Sequence, residues 1–218
     1  MAFLKFNFSL NGGTIQHPID FPDLEAFSRN TYSQELIDVK RVINFISNTS
    51  NWPIDTNKIN IIGHSRGGGI AILSSKYPSV NKICTWAAVA SFEERFPKGE
   101  ELLKWEKDGV RYIENARTKQ LMPHSYDFYQ DFLRNKQDLS IEKAIKNFIG
   151  KSLFIHGTLD QAVSVDNAYR LFRWAKDSEV FTLRSNHTFG SKHPWDSTLI
   201  SEKLLEVVSK TITFFEKE

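Results

Sequence analysis

Residues 58–69 join an apolar run to a stretch of small residues with no loop between them, and they read Lys58-Ile59-Asn60-Ile61-Ile62-Gly63-His64-Ser65-Arg66-Gly67-Gly68-Gly69. The apolar run is typical of a buried strand, and the small residues predict a helix that starts at once. Residues 63–67 fit G-x-S-x-G, in which a serine stands on a sharp strand-to-helix turn. That turn would lift the Ser65 hydroxyl above the sheet and point the backbone N–H of Arg66 at a developing oxyanion. The pattern predicts Ser65 as a nucleophile, and the alternative is a serine that only caps the helix.

Predicted strands and helices alternate along most of the chain. Apolar runs indicate strands, at residues 3–8, 58–62, 82–90, 151–157 and 179–183. Helical spacing of apolar residues indicates helices from about residue 31, directly after residue 65, and at about 164–175 and 197–215. This alternation is typical of parallel βαβ units. The predicted fold class is α/β, with a mostly parallel sheet flanked by helices in a single domain of residues 1–218.

The stretch from about residue 92 to residue 148 interrupts that alternation, because it is rich in charged and aromatic side chains. Residues 110–114 and 119–122 predict a small hairpin. We interpret the whole stretch as a lid inserted over the carboxyl ends of the strands. Three aromatic residues are candidates for an apolar substrate pocket, although such side chains more often belong to the core: Trp86, Tyr126 and Tyr129.

A nucleophilic serine needs a base, and the base needs an acid that orients it. Asp160 is the candidate acid, since it lies in the loop just past the predicted strand at 151–157. Asp166 and Asp177 are weaker alternatives because they fall in or after the next helix. An aspartate that only shapes a turn is the remaining interpretation of Asp160.

His187 is the candidate base, because it lies in the loop after the strand at 179–183, where an imidazole can reach over Ser65. His193 is the main alternative. His64 flanks the nucleophile but is expected to point away from it, and His156 is expected to pack below the acid loop. His17 and His124 lie outside the strand-end loops.

Composition excludes several classes of protein. The 28 basic and 26 acidic residues are spread along the chain and give a net charge of +2, whereas nucleic-acid and membrane surfaces usually show a clustered basic face. No apolar stretch approaches the roughly 20 residues that span a bilayer. The first residues lack the features of a signal peptide, so we expect a cytoplasmic protein. The single cysteine, Cys84, is expected to be a buried and inert thiol.

Three motifs, in this order, resemble the α/β-hydrolase superfamily and its dienelactone-hydrolase-like and acyl-peptidase-like branch. They are Gly63-His64-Ser65-Arg66-Gly67-Gly68, His156-Gly157-Thr158-Leu159-Asp160 with Val163, and Asn186-His187-Thr188-Phe189-Gly190. The resemblance covers the chain from about residue 3 onward. It implies hydrolysis of an ester, thioester or similar acyl bond of a small molecule through an acyl-enzyme, without metal or cofactor. Many relatives carry an acidic residue at the position of Asn186.

The resemblance also implies more sheet than this chain contains. In the family, the strand equivalent to residues 3–8 follows a first βα unit, and the strand before it ends in a His-Gly loop that supplies a second oxyanion N–H. That absent strand normally lies between the strands at 3–8 and 58–62. Either the chain is an amino-terminally shortened hydrolase, or its first strand shifts to pair with the strand at 58–62. An exposed sheet edge of this kind favours self-association into a homo-oligomer.

These observations leave three hypotheses about function. The leading one is a serine hydrolase, and in particular a carboxylic ester hydrolase. A peptidase or thioesterase of the same fold is the second. The third is a truncated, non-catalytic hydrolase-like binding protein, prompted by the missing oxyanion segment. The sequence gives no support for a dinucleotide-binding protein, because no G-x-G-x-x-G follows a predicted strand.

Overall fold

Helices and strands alternate in the computed structural model, which describes residues 2–17, 19–49, 52–192, 194–195 and 198–217. The helices are α1 (Leu24–Ser28), α2 (Tyr32–Ser47), α3 (Arg66–Leu73), α4 (Glu100–Asp108), α5 (Asp127–Arg134), α6 (Ile141–Asn147), α7 (Asp166–Trp174) and α8 (Glu202–Glu216). The strands are β1 (Ile59–His64), β2 (Val80–Trp86), β3 (Val110–Glu114), β4 (Leu121–Ser125), β5 (Lys151–Gly157) and β6 (Ser178–Leu183). Within the described ranges, no helix has both the length and the hydropathy needed to cross a membrane.

The chain folds as two compact units. One comprises Ile43–Phe92 and Ser140–Glu218, and we call it the sheet unit. The other comprises Met1–Val42 and Glu93–Leu139, and we call it the aromatic unit. The predicted lid stretch of residues 92–148 contributes most of its length to the aromatic unit, and its role as a lid stays a prediction.

Four parallel strands form the sheet of the sheet unit, in the order β1-β2-β5-β6. These are the strands predicted at 58–62, 82–90, 151–157 and 179–183, so the α/β class with a mostly parallel sheet is confirmed. β2 ends at Trp86, earlier than predicted, because the next residue, Ala87, has a φ of 49° that leaves the extended conformation. The last helix begins later than predicted, at Glu202, where Ser201 accepts the N–H of Leu204 at 3.1 Å and caps it.

Alternation along the strands divides the core between the two faces of the sheet. One face packs against α8 in a buried cluster that includes Cys84, Leu153, Ile155, Val207 and Phe214. The opposite face carries side chains that are at most 1% exposed, namely Ile83, Thr85, Ser152, Phe154 and His156. Helix α6 contacts both α3 and α7, and α3 and α7 also contact the strands. In parallel sheets of this kind, functional sites lie in the loops that follow the carboxyl ends of the strands.

β1 lies at the edge of the sheet, and this corrects the interpretation of residues 3–8 as a strand. Residues 3–8 take no strand conformation, and Phe3 is 79% exposed. A strand needs a neighbour to pair its backbone N–H and C=O groups, and within the described ranges no strand precedes β1. In that part of the chain β1 therefore pairs with β2 alone, which leaves Ile62 37% exposed.

The aromatic unit has its own core. The Tyr32 ring packs against Phe96, Phe128 and Phe132, with centroid distances of 6.0, 4.6 and 6.5 Å. Strands β3 and β4 pair in antiparallel fashion, which confirms the predicted hairpin. Since these contacts join residues distant in sequence, this stretch is an ordered part of the protein rather than a simple loop.

Cys84 provides a test of the core of the sheet unit. Its side chain is buried, and this burial raises the pKa of the thiol to about 12. Only the thiolate is a good nucleophile, so we expect no reaction with a thiol reagent such as DTNB at pH 8 until the protein is unfolded. From the ordinary thiol pKa of 9.0 up to about 12, the folded state keeps a proton that the unfolded state loses. The free energy of unfolding should therefore fall as the pH rises through that window. Rapid reaction of the native protein would contradict this account of the core.

Candidate active site

Ser65 occupies a sharp turn between β1 and α3. Its backbone has φ 53° and ψ −122°, a conformation that costs energy for a residue with a side chain and is concentrated at functional sites. Its N–H donates to the carbonyl of Trp86 at 2.8 Å, and its own carbonyl accepts from Gly68 at 3.0 Å. Ser65 stands at the N-cap position of α3, yet its side chain makes no capping hydrogen bond. The interpretation of Ser65 as a simple helix cap is therefore contradicted.

Two glycines make this turn sterically possible. A Cβ atom on Gly63 would lie 2.3 Å from the carbonyl oxygen of Gly67, and a Cβ atom on Gly68 would lie 2.4 Å from the Cβ of Ala88. Both distances are far inside van der Waals contact. A Cβ atom on Gly67 would meet nothing within 4 Å. Crowding thus requires glycine at positions 63 and 68, and not at the last position of the five-residue motif.

Asp160 follows β5, and its side chain is fully buried at 0% exposure. Its Oδ1 accepts the backbone N–H groups of Ala162 at 2.8 Å and Val163 at 3.0 Å. Burial by itself would raise the pKa of this carboxyl, but the hydrogen bonds from His187, Val163 and Ala162 outweigh burial and leave the pKa below its ordinary value. Asp160 is therefore an ionised carboxylate at neutral pH, held in one orientation.

His187 lies in the loop after β6 and is joined to Asp160. Its Nδ1 is 2.6 Å from Oδ2 of Asp160, although the two residues are far apart on the chain. Because a carboxylate can only accept, Nδ1 carries a proton, and in the neutral form of the ring Nε2 then has the lone pair. This is the tautomer that a general base requires.

The contact between the nucleophile's turn and the base's loop is made by His64. Its Nε2 lies 2.9 Å from the backbone carbonyl oxygen of His187, and the two rings are 4.6 Å apart between centroids. In the described part of the chain, no hydrogen bond joins the Ser65 hydroxyl to the His187 ring, and such bonds are often long before substrate binds. The structure therefore brings Asp160 and His187 into direct contact and places them beside the strand end that carries Ser65.

His156 supports the acid from below, as the sequence predicted. It is 0% exposed, and its Nε2 lies 2.9 Å from the carbonyl oxygen of Val163 and 3.2 Å from Oδ2 of Asp160. Burial lowers the pKa of His156, so the ring is neutral and donates from Nε2. The donated proton fixes the turn that carries Asp160. Sequence reasoning missed the hydrogen bond between His64 and the His187 loop, although His64 stands at the end of the strand that leads to Ser65.

Asn186 organises the loop that carries His187. Its Oδ1 accepts the backbone N–H of Gly190 at 2.9 Å and that of Thr188 at 3.3 Å. The loop is tied to α8 as well, since Ser201 Oγ donates to the carbonyl of Phe189 at 2.7 Å. An amide oxygen and a carboxylate oxygen can both accept these two bonds, so asparagine and aspartate would both suit this position.

Asn186 can be tested with a matched pair of variants. We expect Asn186→Ala to lower the free energy of unfolding by about 1 kcal/mol, because two backbone N–H groups lose their acceptor. Asn186→Asp keeps an acceptor at the same place and should remain within about 0.5 kcal/mol of the wild type at pH 7. Urea unfolding followed by circular dichroism gives both values. Equal destabilisation by the two variants would show that the acceptor is not what orders the loop.

The backbone N–H of Arg66 opens α3, a helix of eight residues. N–H groups in the first turn of a helix have no partner within the helix and carry partial positive charge. The role of Arg66 as an oxyanion donor stays a prediction. Within the described ranges no strand precedes β1, so the strand-end loop that would supply a second donor is absent there.

The three candidate pocket residues have different surroundings. Trp86 donates from Nε1 to Thr211 at 3.0 Å and packs against Phe189 at a centroid distance of 6.2 Å. These are the contacts of a core side chain, which favours that interpretation over a pocket. Tyr126 and Tyr129 lie in the aromatic unit, with their rings 5.8 Å apart. Their role as pocket residues stays a prediction.

The rival residues do not join the Asp160–His187 pair where the structure describes them. Asp166 begins α7, and its Oδ2 accepts from Ser164 Oγ at 3.2 Å. His124 belongs to the aromatic unit, with its ring 5.2 Å from that of Phe27. His193 lies outside the described residues. In the part of the chain that the structure describes, no group of three or more histidine, cysteine and acidic residues is arranged to hold a metal ion.

Comparison with known proteins finds likeness in structure alone. No protein-family model matches the sequence, and no curated protein is similar to it in sequence. An esterase domain from Rhodothermus marinus aligns with a TM-score of 0.50 at 17% identity, over 74% of this chain and 62% of that one. Est1E from Butyrivibrio proteoclasticus aligns with a TM-score of 0.62 at 17% identity, over 85% and 69% of the two chains.

A monoacylglycerol lipase from Paleococcus ferrophilus aligns with a TM-score of 0.61 at 12% identity, over 87% of this chain and 77% of that one. The chain thus spans 62% of the first of these solved structures. Identities this low carry the fold and not the substrate. The parallel sheet, the strained Ser65 turn and these alignments agree, and the protein has the α/β-hydrolase fold, in a chain shorter than its solved structural neighbours.

Proposed function

We propose that this protein is a serine hydrolase that cleaves a carboxylic ester or a related acyl bond. The observation that carries the proposal is the 2.6 Å hydrogen bond between His187 and the buried Asp160, next to a serine on a strained turn. A histidine that acts as the base for a serine hydroxyl needs an ionised carboxylate that orients its ring.

In this proposal Ser65 Oγ attacks the acyl carbon while its proton passes to His187 Nε2. Asp160 stabilises the resulting imidazolium through the Nδ1–H bond, and the Arg66 N–H donates to the tetrahedral oxyanion. His187 then gives the proton to the leaving oxygen, which departs as an alcohol and leaves an acyl-enzyme. Water repeats the sequence in place of the serine, and Ser65 regains its proton when the acid is released.

A carboxylic ester is the first substrate class to test, because an esterase domain, Est1E and a monoacylglycerol lipase share the fold of this protein. A peptidase or thioesterase would use the same residues, because the acyl group is chosen by pocket shape. A panel of p-nitrophenyl esters of graded length, acyl thioesters and aminoacyl anilides separates these activities.

Covalent labelling tests the proposal without knowledge of the substrate. A fluorophosphonate probe should add to the native protein, and peptide mapping by mass spectrometry should place the adduct on the peptide that contains Ser65. The probe requires an activated serine, so denatured protein should remain unlabelled. An adduct on another serine, or none on protein shown to be folded, would contradict the proposal.

The second candidate function is a non-catalytic hydrolase-like binding protein. The observation that favours it is β1 at the sheet edge, with no preceding strand-end loop in the described ranges to supply a second oxyanion donor. Loss of one donor costs on the order of 10²–10³ in turnover, so slow hydrolysis fits the first proposal. Folded protein that is neither labelled nor active, but is stabilised thermally by esters or carboxylic acids, would favour the second.

A further inference from the structure

The side chain beside the nucleophile is bonded to the main chain of the base. His64 Nε2 lies 2.9 Å from the carbonyl oxygen of His187. Because a carbonyl oxygen only accepts, the His64 ring donates and must carry its proton on Nε2. The rings of the two residues also touch, at 4.6 Å between centroids and a 49° tilt. One side chain thus makes both a polar and a packing contact with the same loop residue.

This contact joins two residues of the site that are far apart along the chain. His64 ends β1, where it pairs with Trp86 of β2, and it is covalently bonded to Ser65. His187 is 123 residues away along the chain. A hydrogen bond from residue 64 to residue 187 therefore sets how far the loop of the base lies from the turn of the nucleophile.

The surroundings of His64, taken together, favour the neutral form of its ring. Although His64 is an exposed residue, partial desolvation of its side chain is the main cause that lowers its pKa, and the neighbouring His187 and His156 act in the same direction. The carbonyl of His187 and the carboxylate of Asp160 act in the opposite direction, but the pKa stays below its ordinary value of 6.5. At neutral pH a neutral ring therefore faces the imidazole on which positive charge would develop, and it adds no repulsion.

We propose that His64 is a positioning residue for the general base, which holds the His187 loop at working distance from Ser65 by donating a hydrogen bond to its main chain. The inference rests on the proposed function, in which His187 is the base. It goes beyond that function because it assigns a role to the residue before the nucleophile. His64 takes no part in the proton transfer.

Three substitutions at one position separate positioning from bulk packing. Glutamine carries an amide N–H at about the reach of a histidine Nε2, whereas asparagine is too short and alanine has no donor. His64→Ala should lower kcat about 10–100-fold with KM within about threefold, because a misplaced base costs turnover rather than binding. His64→Asn should behave like His64→Ala, and His64→Gln should recover kcat to within about threefold of wild type.

His17→Gln, in the aromatic unit, is the control for loss of an imidazole. It should leave kcat unchanged. Thermal unfolding of each variant shows whether a lower kcat comes from a less stable fold or from a displaced His187 loop. If the alanine variant is unstable, the comparison between the Gln and Asn variants remains, because their side chains are close in size and polarity. Equal kcat for His64→Gln and His64→Asn, or kcat within twofold of wild type for His64→Ala, would overturn the proposal.

A second readout does not depend on activity. The Nδ1 proton of His187, bonded to Asp160 at 2.6 Å, should give a far-downfield proton NMR signal that Asp160→Asn removes. We expect this signal to shift or broaden in His64→Ala and His64→Asn and to persist in His64→Gln. If the wild type hydrolyses no substrate and takes up no probe, the proposed function fails while this signal still decides the role of His64. An unchanged signal in all three variants would show that His64 does not hold the loop.

Discussion

Ser65→Ala is expected to abolish fluorophosphonate labelling and to lower ester hydrolysis by at least about 10⁴-fold, which is the effect typical of losing the nucleophile of a triad. The hydroxyl is the only part of Ser65 that changes, and it makes no capping hydrogen bond with α3. The turn itself depends on glycines at positions 63 and 68, so the variant should fold like the wild type. Stopped assays at substrate saturation and in-gel fluorescence measure the two effects.

A serine outside the site provides the matched control for this variant. Ser209 is an exposed residue of α8, and alanine is well tolerated on the exposed face of a helix. Ser209→Ala should keep full labelling and full turnover. Persistent labelling of Ser65→Ala at the wild-type rate would show that another residue is the nucleophile, and the proposed function would then lose its central assignment.

Asp160→Asn is expected to reduce kcat/KM by about 10³–10⁴-fold with little change in the fold. The amide oxygen can still accept the N–H groups of Ala162 and Val163 that now bond to Oδ1. The amide nitrogen then faces Nδ1 of His187 across 2.6 Å, and two donors cannot share that distance. The imidazole must turn to the other tautomer, which places its proton on Nε2 and leaves no lone pair to accept the proton of Ser65.

The pKa of Asp160 sets the pH range in which its carboxylate is ionised. Despite burial of the group, hydrogen bonds hold that pKa below its ordinary value of 3.8, so the carboxylate is ionised at every pH above that value. Titration of Asp160 itself should therefore cause no change in the wild-type kcat/KM between about pH 6 and pH 8. The stability that the ionised carboxylate contributes is present above its unfolded pKa and is lost only as the pH falls through the lower, folded pKa.

Asp166→Asn is the matched control, since Asp166 follows six residues later and bonds to Ser164 instead of a histidine. It should retain kcat/KM within about twofold. A loss for Asp166→Asn as large as that for Asp160→Asn would contradict the assignment of the acid. So would an Asp160→Asn variant with unchanged turnover.

The elements that were predicted correctly from the sequence depend on interactions between residues close together along the chain. The Ser65 turn needs an apolar strand, small residues and the close approach of Gly63 to Gly67, and all of these lie within a dozen residues. Four of the five apolar runs that predicted strands form the parallel sheet, because such runs are typical of buried strands. Asp160 and His187 were found because strand-end loops meet at one edge of a parallel sheet.

The predictions that failed concern partners distant along the chain. Residues 3–8 have the composition of a strand, but pairing needs a neighbour that the described chain does not supply. His64 was expected to point away from the site, yet its ring bonds to a residue 123 positions later. The sequence around a residue does not show which distant segment packs against it, because a donor side chain such as that of His64 can form a hydrogen bond with any acceptor within reach.

By itself, the sequence determined the class of fold, the order of strands and helices in the sheet unit, and three candidate residues for acyl transfer, since periodicity and steric limits act between near neighbours. Only the tertiary structure decided that Asp160 is a buried carboxylate bonded to His187, that β1 stands at the sheet edge, and that His64 links the strand of the nucleophile to the loop of the base. Those facts depend on packing between distant segments, where burial sets charge states and hydrogen-bond partners together.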